Sequence, residues 1–337
     1  MKRFYAMFHA RTMEFVRDRG TFFWNLIFPV ILVFGFAFAF SGSGNSLFKI
    51  GVYGKAPADM DFMHIEQASY ISYDATAKDG AESVVLGKLR RHELDMVIDF
   101  DSHTFWFNEK GRNTSLLRKL FLDDPRAASF REEVVSGEAV RYVDWFVPGA
   151  IGMNMLFSCL SGVGFVIVRY RKNGVLKRLR ATPVSAFSFV LAQAASRFAI
   201  VVATSAFVFL CTDLFLHFMM QGSWAVLALV FGLGIVSMIA LGLAFASRFR
   251  SEELASGVMN LITLPMVGLS GVFFSLEGAP APVKVAAEFL PLTHVIDAAR
   301  AVMLEGKGLL GVAPDLLFLA VFSVLFLGVA AVLFRWD

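Results

Sequence analysis

Six stretches of about twenty apolar residues dominate this chain, at 21–40, 146–168, 190–212, 224–246, 255–276 and 314–334. A bilayer core about 30 Å thick takes about twenty residues at 1.5 Å each, so every one of these stretches is long enough to cross it. In hydrocarbon there is no water for backbone N–H and C=O groups, and a lone segment satisfies them only as a helix. The expected fold is therefore a polytopic α-helical membrane protein with six transmembrane helices. Composition agrees: 18% of residues are charged, against about 25% in an average soluble domain.

The placement of Lys and Arg orients the spans. Lys2, Arg3, Arg11, Arg17 and Arg19 precede the first span. Arg169, Arg171, Lys172, Lys177, Arg178 and Arg180 follow the second, Arg248 and Arg250 the fourth, and Arg335 the sixth. The opposite connections hold no Lys or Arg over 213–223, and only Lys284, Arg300 and Lys307 over 277–313. Short loops rich in these residues stay in the cytoplasm. Both termini are thus expected on the cytoplasmic side of a bacterial inner membrane, and an odd number of spans would break the pattern. The first block is read as a retained span; the small, polar stretch 41–46 leaves a cleaved leader as the other reading. Over 1–20, Phe4, Met7, Phe8, Met13 and Phe15 alternate with Arg11, Glu14, Arg17 and Arg19. That spacing suits an amphipathic helix lying in the cytoplasmic interface, with a disordered basic tail as the alternative.

Between the first two spans, 45–143 reads as a small α/β domain. FKIGVY at 48–53, DMVIDF at 95–100 and TFWF at 104–107 have the apolar runs of buried strands, the last two as a hairpin. Helical spacing appears at 81–91 and 114–122. The topology places this domain outside. Its 13 Lys and Arg do not oppose that placement, because the charge rule weakens for long translocated segments.

Within the spans, Cys159 and Cys211 are the only cysteines and read as buried free thiols. Asp144 and Asp213 sit at span ends, so carboxylate-coupled ion transport, which places acids near the midplane, is disfavoured. Arg197 lies in the first turns of the third span. It either snorkels to the cytoplasmic headgroups, the preferred reading, or is a functional intramembrane charge. A membrane-anchored sensor acting through the external domain stays open, although His64, His92 and His103 have no metal-ligand spacing. Neither a catalytic pair, a metal site nor a nucleic-acid partner is expected.

The segment 169–185, RYRKNGVLKRLRATPVS, is too long and too patterned for a simple turn. Val175, Leu176 and Leu179 form an apolar stripe beside Lys177, Arg178 and Arg180, and Ala181-Thr182-Pro183 ends a short helix. Such a helix suits docking into a partner's groove. The alternative is that its cations only enforce topology and bind anionic membrane lipid. The chain has no G-x-x-x-x-G-K-[ST] phosphate loop. The nearest approach, Gly87-Lys88-Leu89, lacks both the hydroxyl and the upstream glycine.

The stretch NGVLKRLRATPVS resembles the coupling segment of ABC exporter permeases of the type-2 class. FLPLTHVIDAARAVMLEG at 289–306 is similar to that family's segment before the last span, and RDRGTFFWNLIFP at 17–29 to the entry of its first. The resemblance covers essentially the whole chain. It implies a two-fold dimer, with a second copy or a related permease, and two cytoplasmic ABC ATPase subunits that hold ATP and Mg, since this chain would carry no cofactor. Asn173, Gly174, Val175, Leu176, Lys177, Arg178, Leu179, Arg180, Ala181, Thr182 and Pro183 would receive the ATPase's movement. The stretch 277–300, with Pro291, Asp297 and Arg300, would form short re-entrant helices on the external side. From the residues alone it could equally be an external loop with one amphipathic helix. The second and fifth spans, rich in small and polar residues, would meet near the two-fold axis, with Met153, Asn154, Phe157, Asn260 and Met266 as candidate substrate contacts. The expected activity is ATP-driven export of a drug-like or lipid-like amphiphile along a path free of fixed charge.

Overall fold

The computed structural model describes residues 2–39, 48–53, 68–73, 81–90, 94–109, 114–136, 141–182, 184–247, 249, 251–273, 276 and 280–333. The chain divides into a helical unit, Met1–Ala39 with Tyr142–Asp337, and a second unit, Phe40–Arg141. The helical unit opens with α1 (Lys2–Arg17) and, after a break at Asp18, α2 (Arg19–Ala39).

The second unit is built on a five-stranded sheet of order β2-β1-β3-β4-β5. Its elements are β1 (Phe48–Tyr53), β2 (Ala68–Tyr73), α3 (Ala81–Arg90), β3 (Met96–Asp99), β4 (Thr104–Asn108), α4 (Thr114–Leu122) and β5 (Arg131–Val135). Strand β1 runs parallel to both β2 and β3, β3 and β4 form the antiparallel hairpin, and β4 runs parallel to β5. Both faces are buried. Phe48, Ile50, Val52, Phe105 and Phe107 pack with Leu117 and Phe121 of α4. On the other face, Val97 and Trp106 pack with Val85 and Leu89 of α3. A strand covered on both sides has no polar alternation to show, hence the unbroken apolar runs in β3 and β4. The edge strand β5 carries Arg131, Glu132 and Glu133, and Glu133 accepts from the Trp106 indole at 2.9 Å. Charge on an edge strand discourages further pairing.

The helical unit continues with α5 (Tyr142–Cys159), a π-helical turn over Leu160–Phe165, and α6 (Val166–Lys172). Together they make one unbroken helix of 31 residues. Then come α7 (Val175–Arg180), α8 (Ala186–Leu216), α9 (Trp224–Ala246), α10 (Glu252–Leu269), α11 (Ala281–Glu288), α12 (Pro291–Glu305) and α13 (Ala313–Leu333). Among the described residues five helices are long and apolar enough to cross a membrane: Arg19–Phe38, Tyr142–Lys172, Phe187–Leu216, Trp224–Ala246 and Leu309–Leu333. The stretch expected as a further span at 255–276 is different. Its helix α10 has 18 residues, opens on Glu252 and Glu253, and stops at Leu269, after which Gly271 takes a left-handed φ of 67°.

Helix α9 is apolar all round and packs against α13, α12, α5 and the π turn, as expected of a helix enclosed by others. α12 docks closely on α5, because a Cβ at Gly152 would lie 3.1 Å from Leu292. α12 and α13 are pinned by His294. Its Nδ1 lies 2.8 Å from Asp315 and its Nε2 2.8 Å from the Glu288 carbonyl, and its ring stacks on Phe318 at 3.8 Å. Both ring nitrogens face acceptors, so the arrangement is satisfied only by the imidazolium. Burial pushes the His294 pKa down, but the hydrogen bonds to Asp315 and the Glu288 carbonyl outweigh it and hold the pKa above the usual histidine value. A raised folded pKa stabilises fully below about pH 6.5 and loses that contribution as pH rises through the folded value. The melting temperature of the purified protein should therefore fall as pH rises through the upper histidine range. His294→Leu should remove that step and cost about 1–2 kcal/mol at pH 6.

Candidate functional site

Helices α2 and α5–α6 run antiparallel, with Phe36 stacked on Phe146 at 4.5 Å at one end and Ser158 bonded to Asn25 at 2.9 Å further along. Between them, flanked by α1, α10 and Arg197 of α8, opens a cavity of about 1300 Å³. Its wall on α5–α6 extends from Met153 to Arg169 and beyond to Asn173, a rise of about 24 Å to Arg169 alone at 1.5 Å per residue. Trp24, Phe28, Pro29 and Leu32 of α2, Phe157 and Phe165 of the opposite helix, and Leu264 and Val267 of α10 make most of the lining apolar. Of the residues singled out from sequence, Met153, Asn154 and Phe157 stand in this wall. Asn260 and Met266 do not line it: Asn260 is exposed elsewhere on α10 and Met266 is buried.

One end of the groove is ionic, contrary to the expected path free of fixed charge. Arg11, Glu14, Asp18, Arg169 and Arg197 all line it. Glu14 bonds to Arg11 at 2.8 Å, to Arg169 at 2.9 Å and to the Tyr170 hydroxyl. Burial pushes the Glu14 carboxyl up, but the Tyr170 hydrogen bond and the two guanidinium groups outweigh it and hold its pKa below the usual value. Arg11, expected on the outer polar face of α1, is turned inward and donates to the Gly162 carbonyl at 2.7 Å. The bond between Thr12 and Ser196, 2.9 Å, fastens α1 to α8.

Arg197 does not snorkel. It is 3% exposed, and its guanidinium donates to the Ser158 carbonyl and, at 2.7 Å, to Ser158 Oγ. It also lies 5.4 Å from the Phe15 ring centre. Gly162 makes the room, because any Cβ there would overlap the guanidinium. Since Ser158 Oγ donates onward to Asn25 Oδ1, one cation ties α8 to α5 and α2. Asn25 was not singled out from sequence; the signal available was an amide inside an otherwise apolar span.

The segment 173–183 follows α6 through a tight turn in which Gly174 takes a left-handed φ of 68°, a conformation that favours glycine. In α7, Leu176 is wholly buried and Leu179 half-buried, whereas Asn173, Lys177, Arg178, Arg180, Ala181 and Thr182 are exposed. The apolar stripe thus packs inward, and the face left to solvent is cationic. Pro183 lies outside the described residues. The preceding cations have intramolecular work. Arg171 donates to the carbonyls of Ala246, at 3.0 Å, and Phe249, closing the C-terminal end of α9, where a cation suits the helix dipole. Lys172 bonds to Glu252 at the start of α10 at 2.8 Å.

An ABC-2 family transporter protein model matches residues 19–332, taking in the groove lining from α2 onward, the cationic segment and every later helix. The chain belongs to the ABC-2 transporter family. A probable multidrug ABC transporter permease of Escherichia coli K12, YbhS, is 22% identical over 97% of this chain and 95% of its own length. The inner membrane transport permease YhhJ of the same organism is 25% identical over 55% of this chain and 50% of its own. The linearmycin resistance permease LnrN of Bacillus subtilis 168 is 27% identical over 51% and 46% respectively. The protein is a multi-pass membrane permease of an ABC transporter, a family that works with an ABC ATPase.

In this ABC-2 permease the stretch 277–300 contains α11 and the start of α12, with 277–279 outside the described residues. Pro291 opens α12, where its missing N–H costs nothing. Asp297 is exposed. Arg300 lies 3.5 Å from the Trp145 ring centre and donates to the carbonyls of Trp145 at 3.1 Å and Gly271 at 2.8 Å. It thereby holds α12 to the start of α5 and the end of α10.

The Glu14 cluster is measurable. A cycle of Glu14→Gln, Arg169→Gln and the double variant should give a coupling of about 1 kcal/mol, modest because both side chains are partly exposed. With Glu14 depressed in the folded state, that coupling holds above the usual glutamate pKa. It disappears as pH falls through the lower folded value. Melting temperatures followed from pH 7 downward through the acid range would read it.

Proposed function

We propose that this permease is the membrane-spanning subunit of an ATP-driven exporter, carrying a drug-like or lipid-like amphiphile out of the cytoplasm or the inner leaflet. The observation that carries this reading is the groove: a largely apolar recess about 24 Å long at helical rise, running beside the span Tyr142–Lys172 and ionic at one end. An amphiphile matches that gradient better than an ion or a bare sugar. The names of its relatives, a multidrug permease and a linearmycin resistance permease, are in keeping with such a substrate.

In this reading α10 is also a span, the fifth in chain order, and completes the set of six. Its 18 residues rise about 27 Å, a shortfall that a bilayer accommodates by thinning slightly, with Glu252 and Glu253 at the headgroups. Both termini and the 173–183 segment then lie in the cytoplasm, and the Phe40–Arg141 unit lies outside. ATP and Mg bind the separate ATPase. That ATPase docks on the exposed cations Lys177, Arg178 and Arg180, while buried Leu176 anchors α7 to its own chain and passes the push to α6. A second permease, a copy or a relative, completes the dimer, and Pro291, Asp297 and Arg300 belong to a re-entrant segment on the external side.

Detergent pull-down of the tagged protein from its native membrane should recover a stoichiometric ABC ATPase. Reversing Lys177, Arg178 and Arg180 to Glu should release that subunit and lower ATP-driven efflux by at least about tenfold, with the variant still monodisperse. A wild-type protein that purifies alone and transports without ATP would refute the proposal.

A further inference from the structure

Two buried hydrogen-bond donors in the groove lack partners among the described residues. Arg197 Nε and Asn154 Nδ2 are both enclosed and both without an acceptor, and both residues line the cavity. Arg197 is 3% exposed and Asn154 8%. Leaving a buried donor unmatched forfeits its full desolvation cost, and more when the group is charged. Asn154 stands one turn along α5 from Ser158, which holds the Arg197 guanidinium, so the two donors serve neighbouring parts of one recess.

The charges around them do not cancel. Glu14 is shared between Arg11 and Arg169, and Asp18 accepts from Thr21 at 2.6 Å. Arg197 bonds to no carboxylate among the described residues and is left to a serine and a backbone carbonyl, both neutral. Below it the groove is ionic; beside and above it stand Trp24, Phe28, Phe157 and Leu264. A positive, donor-rich pocket abutting an apolar channel selects for acceptor oxygens bearing negative charge and attached to a hydrocarbon.

We propose that the groove binds an anionic amphiphile, with phosphate or carboxylate oxygens on Arg197 and Asn154 and its chain along Trp24, Phe28 and Phe157. The inference rests on the exporter reading for its meaning, as a substrate class, but not for its chemistry. An anionic membrane phospholipid and a transported anionic compound present the same group to the same donors.

The test uses the full-length permease purified without its ATPase, so that it stands apart from the pull-down above. Delipidated protein is offered phosphatidylglycerol or phosphatidylcholine of matched chains, and the lipid surviving collisional activation in native mass spectrometry is counted. Phosphatidylglycerol should be retained at least about tenfold better, the scale of one charge-assisted hydrogen bond. Arg197→Gln should erase that preference and Arg197→Lys should keep part of it. Ser161→Phe, which fills the groove at an exposed wall position and removes no charge, should lower retention of both lipids. That variant keeps the test decisive if Arg197→Gln does not fold. Inorganic phosphate in large excess should displace little lipid; full displacement would mean a free-anion site and overturn the amphiphile. Equal retention of the two lipids, or an undiminished preference in Arg197→Gln, would overturn the anionic head. Phosphatidylglycerol that is held but not moved when ATP drives the reconstituted complex marks a resident lipid, and one that is moved marks the substrate. Both outcomes support the site.

Discussion

A guanidinium inside a helix bundle is among the most expensive groups that a membrane protein can hold, and this one holds its helices together with it. Arg197 reaches from α8 to the middle of the Tyr142–Lys172 helix, bonds Ser158, and through Ser158 engages Asn25 of α2. Arg11 adds a second bridge, from α1 to the Gly162 carbonyl. Apolar faces in lipid gain nothing by packing against one another rather than against acyl chains, so specific polar contacts carry much of the helix registry. Four of the helices around the groove, α1, α2, α5 and α8, are positioned by these bonds. The groove exists because the same bonds set helix spacing at one level while bulky residues such as Phe36 and Phe146 set it at another.

Much of the architecture is legible in the chain because hydropathy is a one-dimensional signal. The spans near 21–40, 224–246 and 314–334 reappear within a few residues as Arg19–Phe38, Trp224–Ala246 and Leu309–Leu333. Strands β3 and β4 are visible because both of their faces are buried and they read as apolar runs, and β1 because its run is broken only by the exposed Lys49. Strand β2 is half polar in composition and β5 is charged along an edge, so neither shows a pattern that a loop could not share. The stretch 255–276 is equally apolar across its last residues, but the turn at Gly271 stops the helix earlier, and backbone handedness does not show in hydropathy.

The site is legible in part, for a related reason. Met153, Asn154 and Phe157 face the groove because a helical stripe of mixed polarity marks a face that is not simply lipid-exposed. Asn260 and Met266 carry the same kind of signal and face elsewhere, since helix rotation is decided by neighbours rather than by the helix itself. The inward turn of Arg197 depends on Gly162, 35 positions earlier in the chain. In the same way, Leu176 reads as a docking residue from sequence and is buried in the structure. Its stripe records which face is apolar, not whether its own chain or a partner covers that face.

The π turn at Leu160–Phe165 changes the phase of the second span. A π turn takes up one residue more than an α turn, and the groove residues Asn154, Ser158, Ser161, Phe165, Arg169 and Asn173 are spaced accordingly. From first to last they average about 3.8 residues per turn, against 3.6 for a regular helix. A regular helix would carry its lower residues progressively off the stripe, by about 100° for each residue out of step. The extra residue keeps the apolar reach beside Trp24 and the ionic end at Arg169 on one continuous line. Loss of a single residue here would leave two half-grooves on different sides of the helix, with the remaining groove side chains still present and no common track between them.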